Sequence, residues 1–388
     1  MAKKRKQEQE EAREEVTEVA PDVLRMELPI RMPGLGHVNC YALLDAEGAT
    51  LVDPGMPTPS SYKTLQERLK RAGIPLKYVH HVVVTHSHPD HFGGASRLAR
   101  DAGAKVIAHD AFRLGSPIPH VDVSAEDLAE HEHEHSHAHA HLHGPSAGIG
   151  EGTPEHENLG PATEEGRLAR PGDKLPRKVW EGGTPWGGER PRPPWKMRLM
   201  WTARRLLMRT SVFPEITEPV KAGDVVRLAG REWFVVHTPG HTEDHICLHD
   251  PAEGIFLAGD HVLPTITPHI SGLSTYMDPL AAFFDSLDRV GSLPDVDQVL
   301  PAHGHPFDDL KARCDDIKVH HDERLARIKQ IADEIGPNTV EAFMQKLFRE
   351  RSWGGMAESE TYAHLEHLRI LGDAGVYRRK DGKLIYEI

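Results

Sequence analysis

Three imidazoles and one carboxylate fall within six positions in the stretch His86-Ser87-His88-Pro89-Asp90-His91, directly behind an apolar run ending Val82-Val83-Val84. Imidazole nitrogen and carboxylate oxygen are ligands that zinc, iron and manganese share, and a short loop leaving a buried strand can aim several of them into one cavity. Alone, such a loop also fits a solvated, histidine-rich turn. Three further junctions weigh against that. His241 follows the apolar run 233–236 in Thr238-Pro239-Gly240-His241, Asp260 follows 254–258, and His303 follows 296–300 in Pro301-Ala302-His303-Gly304. The candidate ligands are therefore His86, His88, Asp90, His91, His241, Asp260 and His303. Asp53, closing another apolar run in Asp53-Pro54-Gly55, is either a plain turn former or a carboxylate behind a metal-bound histidine, with the balance toward the second.

The elements that must position these residues read as short strands and helices in alternation. Strands are expected over 23–28, 38–44, 50–52, 78–84 and 105–108, with helices over 60–72, capped by Ser60 or Ser61 and stopped by Gly73, and over 94–102. This βαβα order belongs to a layered α/β domain. After an interruption at about 113–219, strands resume over 224–228, 233–237, 246–248, 254–258 and 296–300. A C-terminal unit, 308–388, reads as helices over 309–335, 339–349 and 359–371 and then a hairpin over 376–386 turning at Asp381-Gly382.

The organisation expected is a disordered leader over 1–20, a domain over 21–307 carrying the insert, and the C-terminal unit. Lys and Arg total 46 against 59 Asp and Glu, and the net charge of −13 argues against general attraction to nucleic acid or anionic membrane. Residues 1–20 are Lys-rich and then Glu-rich with no apolar core, so the leader is neither a secretory signal nor a spanning segment. Cys40, Cys247 and Cys314 are too few and too widely spaced for a disulfide framework or a Cys-based zinc module, which fits a reducing, cytoplasmic setting; Cys247 reads as a core residue.

Within the insert, His131, His133, His135, His137, His139, His141 and His143 alternate with other residues, so an extended chain would put all seven rings on one face. A weak metal-binding comb and a solvated low-complexity run explain this equally well. Residues 195–209 mix Trp, Met and Leu with Lys and Arg, which fits a cap over a cavity or an ordinary packed helix, and less well a membrane-surface helix. His245, His261 and His109 flank the junctions and read as supporting groups, and His320 and His321 as packing or interface residues.

The order His86-x-His88-x-Asp90-His91, His241, Asp260, His303 resembles the metallo-β-lactamase-fold hydrolase superfamily, over about 23–305 apart from the insert. The resemblance implies an αββα sandwich with two divalent metal ions, zinc foremost and iron or manganese as alternatives. By position His86, His88 and His241 would hold one metal, Asp90, His91 and His303 the other, and Asp260 would bridge them. A full set without a ligand Cys looks like the glyoxalase II and related hydrolase branches rather than the β-lactamases proper. Two such metals can share a water and lower its pKa until hydroxide is available near neutral pH. Asp90 is the catalytic candidate that takes a proton during turnover.

Three helices and a hairpin resemble the winged-helix domain appended to some members, including a mitochondrial single-stranded-RNA endonuclease and certain thioesterases. A nucleic-acid reader should be basic on its third helix, yet 359–371 carries Arg369 against Glu360 and Glu366, and only the hairpin, with Arg378, Arg379, Lys380 and Lys383, is basic. The reading is therefore a metal-dependent hydrolase of a small ester, thioester or lactone, working through a metal-bound hydroxide. Its C-terminal unit would wall the pocket or join a homodimer. The alternative is a metal-dependent endoribonuclease acting on single-stranded RNA. A metal-storage protein built on the histidine comb would leave the seven ordered ligands unexplained.

Overall fold

The computed structural model describes residues 6–32, 34–112, 157–158, 183–187, 195, 199 and 213–388. Two sheets face each other. The first runs β1 (Val16–Ala20), β2 (Val23–Met32), β3 (Leu35–Leu44), β4 (Ala49–Val52), β5 (Val79–Val83), β6 (Lys105–His109) and β8 (Glu218–Val220), with β7 (Glu157–Asn158) belonging elsewhere. Its first four strands are antiparallel and the rest join in parallel, with helices crossing over from β4 to β5 and from β5 to β6. The second runs β13 (Gln298–Pro301), β12 (Ile255–Gly259), β11 (Ile246–Asp250), β10 (Arg231–His237) and β9 (Val225–Leu228).

Side chains alternate across a strand, and here the alternation divides the core into layers. Tyr41 and Leu43 of β3, Val83 of β5 and Ile107 of β6 meet Trp233, Ile246, Leu248, Leu257 and Leu300 between the sheets. Their neighbours Val38, Cys40, Ala42, Val82 and Val106 face outward, against α1 (Pro59–Arg71) and α3 (Ala95–Ala102). On the far side, Cys247, Phe256, Ala258 and Val299 pack against α4 (Pro279–Gly291) and the first half of α5 (Leu310–Ile335). The result is an αββα sandwich, in which each fully buried Leu or Phe contributes about 1.5–3 kcal/mol.

Three expectations need correction. Residues 7–20 are not a disordered leader: Val16–Ala20 pairs antiparallel with β2, and Glu8, fully buried, accepts hydrogen bonds from Thr265 N (2.7 Å) and Ile266 N (3.0 Å). A charge-rich stretch was legible there, but its distant backbone partners were not. The cap of α1 is Thr58, whose hydroxyl accepts from Ser61 N at 3.1 Å, because Pro59 suits the first helical position. Helix α4 was not anticipated, although Asp278-Pro279 is a start signal and Asp278 Oδ1 accepts from Ala281 N.

Beyond the sandwich come α6 (Val340–Leu347), α7 (Gly355–Ile370) and a small sheet in the order β14 (Asn338–Thr339), β16 (Leu384–Glu387), β15 (Gly375–Arg378), β7. Their core contains Ile328, Ile331, Phe343, Tyr362, Leu365, Tyr386 and Trp186, so α5 contributes one half to this cluster and the other to the sandwich. Two pieces of the insert thus lie on the C-terminal unit: β7 along β15, and Trp186, whose carbonyl accepts from Leu384 N. The histidine run 131–143 lies outside the described residues, as does 195–209 except for Trp195 and Leu199.

Candidate metal centre

All seven candidate ligands converge at one end of the sandwich. His86 and His88 lie on the loop after β5, Asp90 and His91 on the single-turn helix α2 (Pro89–Phe92), His241 after β10, Asp260 after β12 and His303 after β13. Two glycines make the approach possible. A Cβ on Gly93 would lie 2.1 Å from Pro57 N, and one on Gly240, where φ is +130°, would lie 2.4 Å from Phe283 Cβ. The ligand atoms form two groups, His86, His88, His241 and Asp260 in one and Asp90, His91 and His303 in the other, with all atoms within 4.8 Å of one another in each.

Hydrogen bonding around the rings fixes which nitrogens are free. Asp53 Oδ2 accepts from His91 Nδ1 (2.8 Å) and from the Thr85 hydroxyl (2.7 Å), while Oδ1 accepts from Thr85 N (2.9 Å). With its proton spent on Asp53, the Thr85 oxygen is left to accept from His86 Nδ1 at 3.1 Å. His303 Nδ1 donates to the His37 carbonyl (2.6 Å) and His241 Nδ1 to the His269 carbonyl (2.7 Å). In their neutral form these four rings therefore carry the proton on Nδ1 and turn an Nε2 lone pair inward. Those of His86 and His241 lie 2.9 and 3.1 Å from His88 Nδ1, while His91 Nε2, His303 Nε2 and Asp260 Oδ1 are buried without a hydrogen-bond partner. His303 Nε2 and Asp260 Oδ1 approach to 3.2 Å without the geometry of a hydrogen bond. Lone pairs converging in a dry site fit a cation, which satisfies all of them at once.

Charge follows the same division. Burial, together with the neighbouring rings, holds His86 and His88 well below the usual imidazole range; burial also lowers His241, although Asp260 partly opposes it. Burial would lower His91 and His303 too, but the carboxylates of Asp260 and Asp90 outweigh it and raise both. Asp260 is held well below its ordinary value: burial opposes ionisation, and His303 and His91 overcome that.

Several neighbours have supporting roles. His245 accepts from Asp260 N at 3.0 Å and bonds Thr238 Oγ1 at 2.7 Å, so both of its nitrogens are used. His261 is fully buried with its ring edge-on to Phe283, and His109 stacks on His237 at 4.1 Å; neither is a member of the ligand groups. His321 bonds His364 at 3.0 Å inside the C-terminal packing, as expected of a packing residue. The roles of His37, His269 and Glu360 at the site escaped sequence reasoning. His37 donates to Glu10 O (2.9 Å) and accepts from Gly304 N (3.2 Å), and nothing in its sequence surroundings marks it.

The family model for the metallo-beta-lactamase superfamily matches residues 33–153 and 166–303, ending on the last candidate ligand. The chain belongs to the metallo-beta-lactamase superfamily. It is 24% identical over 365 residues to a probable metallo-hydrolase, YqjP, of Bacillus subtilis, covering 89% of this chain and 92% of that one. An atrochrysone carboxyl ACP thioesterase of a Cryptosporiopsis species is 26% identical over 188 residues, 45% of this chain and 54% of the thioesterase. A hydroxyacylglutathione hydrolase of Maricaulis maris is 33% identical over 90 residues, 23% and 33% of the two chains. This chain thus spans about half and a third of the last two. Among solved structures, a metallo-beta-lactamase family protein of Thermus thermophilus shares the fold at a TM-score of 0.65 and 23% identity, covering 96% of this chain and all of that one. A beta-lactamase domain protein of Burkholderia ambifaria gives 0.64 and 25%, covering 97% and 96%. The chain is accordingly a metal-dependent hydrolase of this superfamily, and no helix among the described residues is long and apolar enough to cross a membrane.

Proposed function

We propose that this chain is a dinuclear hydrolase of a small ester, thioester or lactone, with His86, His88 and His241 holding one divalent cation, Asp90, His91 and His303 a second, and Asp260 between them. The observation that carries the reading is the set of inward lone pairs whose tautomers are fixed from outside by Asp53, Thr85 and the carbonyls of His37 and His269. Zinc suits a site of imidazole and carboxylate, and iron and manganese share its ligand chemistry. Two such cations supply an activated water as nucleophile and polarise the scissile oxygen. The chain's own part is to fix the ring protons of His86, His91, His241 and His303 on Nδ1, away from the cations, and to keep Asp90 at the centre. The Asp90 carboxylate, 3.6 Å from His91 Nε2 and from His303 Nε2, is the group placed to take up a proton.

A small acyl substrate is favoured over RNA because basic groups of the third helix and the hairpin are paired with carboxylates of the same unit. Arg369 is buried against Glu366, Arg379 pairs with Asp381, Lys383 pairs with Glu341 at 3.0 Å, and β7 occupies the edge of β15. A winged-helix-like unit so arranged serves as a wall of the site rather than a phosphate reader. The names of the thioesterase and hydroxyacylglutathione hydrolase relatives agree with thioester chemistry. The test is a panel of acyl-thioesters, aryl esters, lactones and single-stranded RNA, run on metal-loaded parent and on His88→Ala. Turnover of one acyl class that is lost in the variant is expected. RNA cleavage lost in the variant, with no acyl turnover in the parent, would overturn the proposal.

A further inference from the structure

The ring of His241 is oriented by a peptide carbonyl, and that carbonyl belongs to the loop between β12 and α4. His241 Nδ1 donates to His269 O, and His269 Nδ1 in turn donates to Glu360 Oε2 at 3.2 Å, since a carboxylate can only accept. Glu360 lies on α7, more than fifty residues past the end of the family match, and is ion-paired with Arg324 of α5. The next turn of the loop is fastened to the same helix: Ser359 Oγ accepts from Gly272 N at 3.0 Å, and a Cβ on Gly272 would lie 2.5 Å from the Tyr362 ring. On its other side the loop grips the ligand segment, because Glu243 accepts from Ser274 Oγ (3.2 Å) and Thr275 N. Residues 269–275 are thus clamped between the His241 segment and α7.

We infer that Glu360 is a positioning residue for the candidate ligand His241, acting through His269, so that the C-terminal unit sets how firmly the centre holds its metal. The inference rests on His241 being a ligand, as proposed above. Groups that hydrogen-bond a metal-bound imidazole typically govern metal affinity by ten- to a hundredfold, and Glu360 acts one group further out, which places its effect near tenfold. Gln at 360 would still offer an oxygen to His269 Nδ1; Ala would not.

The experiment measures the affinity for Zn and the absorption spectrum of the Co-substituted protein by chelator competition on the full chain, for the parent, E360A, E360Q, L365A and H241A. Leu365 is buried in the same helix within the C-terminal core, and its truncation lowers stability without touching His269. Affinity about tenfold lower with an altered Co spectrum in E360A, within about threefold of parent in E360Q and unchanged in L365A, is the expected result. Parental affinity in E360A, or an equal loss in L365A at a matched fall in melting temperature, overturns the inference. If instead H241A retains both metals with parental affinity, the ligand assignment beneath it fails.

Discussion

Replacing Asp53 by Asn changes one atom and tests the tautomer logic of the centre directly. The backbone at Asp53 has φ +54°, a left-handed conformation that Asn adopts as readily as Asp, so local strain is unchanged. The carboxylate accepts three hydrogen bonds, from Thr85 N, from Thr85 Oγ1 and from His91 Nδ1. An amide has one oxygen. If it takes the Oδ2 place, the NH2 confronts Thr85 N–H, at a cost of about 1–3 kcal/mol for an unsatisfied buried donor. If it takes the Oδ1 place, the NH2 faces His91 Nδ1 and drives the ring proton to Nε2, the nitrogen a metal needs. The first outcome lowers the stability of the metal-free chain, and the second weakens the half of the proposed centre built on Asp90, His91 and His303. Loss of such a partner typically lowers metal affinity ten- to a hundredfold, about 1.4–2.7 kcal/mol. Chelator competition, with thermal melting of the metal-free forms, measures both quantities. Parental affinity in Asp53→Asn, with an unchanged metal-free melt, would show that Asp53 does not fix the His91 tautomer.

Two further perturbations probe the shell around the ligands. Gly240→Ala should destabilise the chain by about 1–3 kcal/mol, since its Cβ would meet Phe283 backbone and side chain at 2.4–2.6 Å at a φ of +130°; an unshifted melt would show that α4 yields freely. Burial pushes the Asp244 carboxyl, which accepts from Ser87 Oγ, up to about 7 from an ordinary 3.8. Between those two values the folded chain keeps a proton that the unfolded chain has released, so stability from this group is full below about pH 4 and falls as pH rises through 7. Asp244→Asn cannot ionise and still accepts from Ser87, so its melting temperature should gain on the parent more at pH 8 than at pH 5. An equal difference at both pH values would count against the buried-acid account.

The loops whose candidate ligands converge were legible because each is short, follows a strongly apolar strand and carries residue types with few other reasons to sit there. The layers were legible from the same strands, whose alternation assigns Tyr41 and Leu43 to one core and Cys40 and Ala42 to another. What was not legible depends on partners far apart in sequence. Glu8 reads as one more charge in an acidic stretch until Thr265 and Ile266 are beside it. His269 offered no pattern because its contribution to the candidate ligand His241 is a backbone carbonyl, which every residue owns. Asp53 lay between these cases: its turn was evident, but only the arrival of Thr85 and His91 distinguishes an orienting carboxylate from a turn former.

The two halves of the sandwich meet at the candidate ligands, and this has a meaning for the chain as a polymer. His88 and His241 are 153 positions apart in sequence, yet their ring nitrogens come within 3.1 Å. A cation shared by them would be a reversible cross-link closing a loop of that length. For a covalent link of similar span the unfolded chain forfeits freedom worth about 5 kcal/mol. Unlike a disulfide, this link would be made and withdrawn by mass action, so the margin between folded and unfolded chain would follow the supply of free metal. The centre would then report on metal availability through the lifetime of the protein as well as through its turnover.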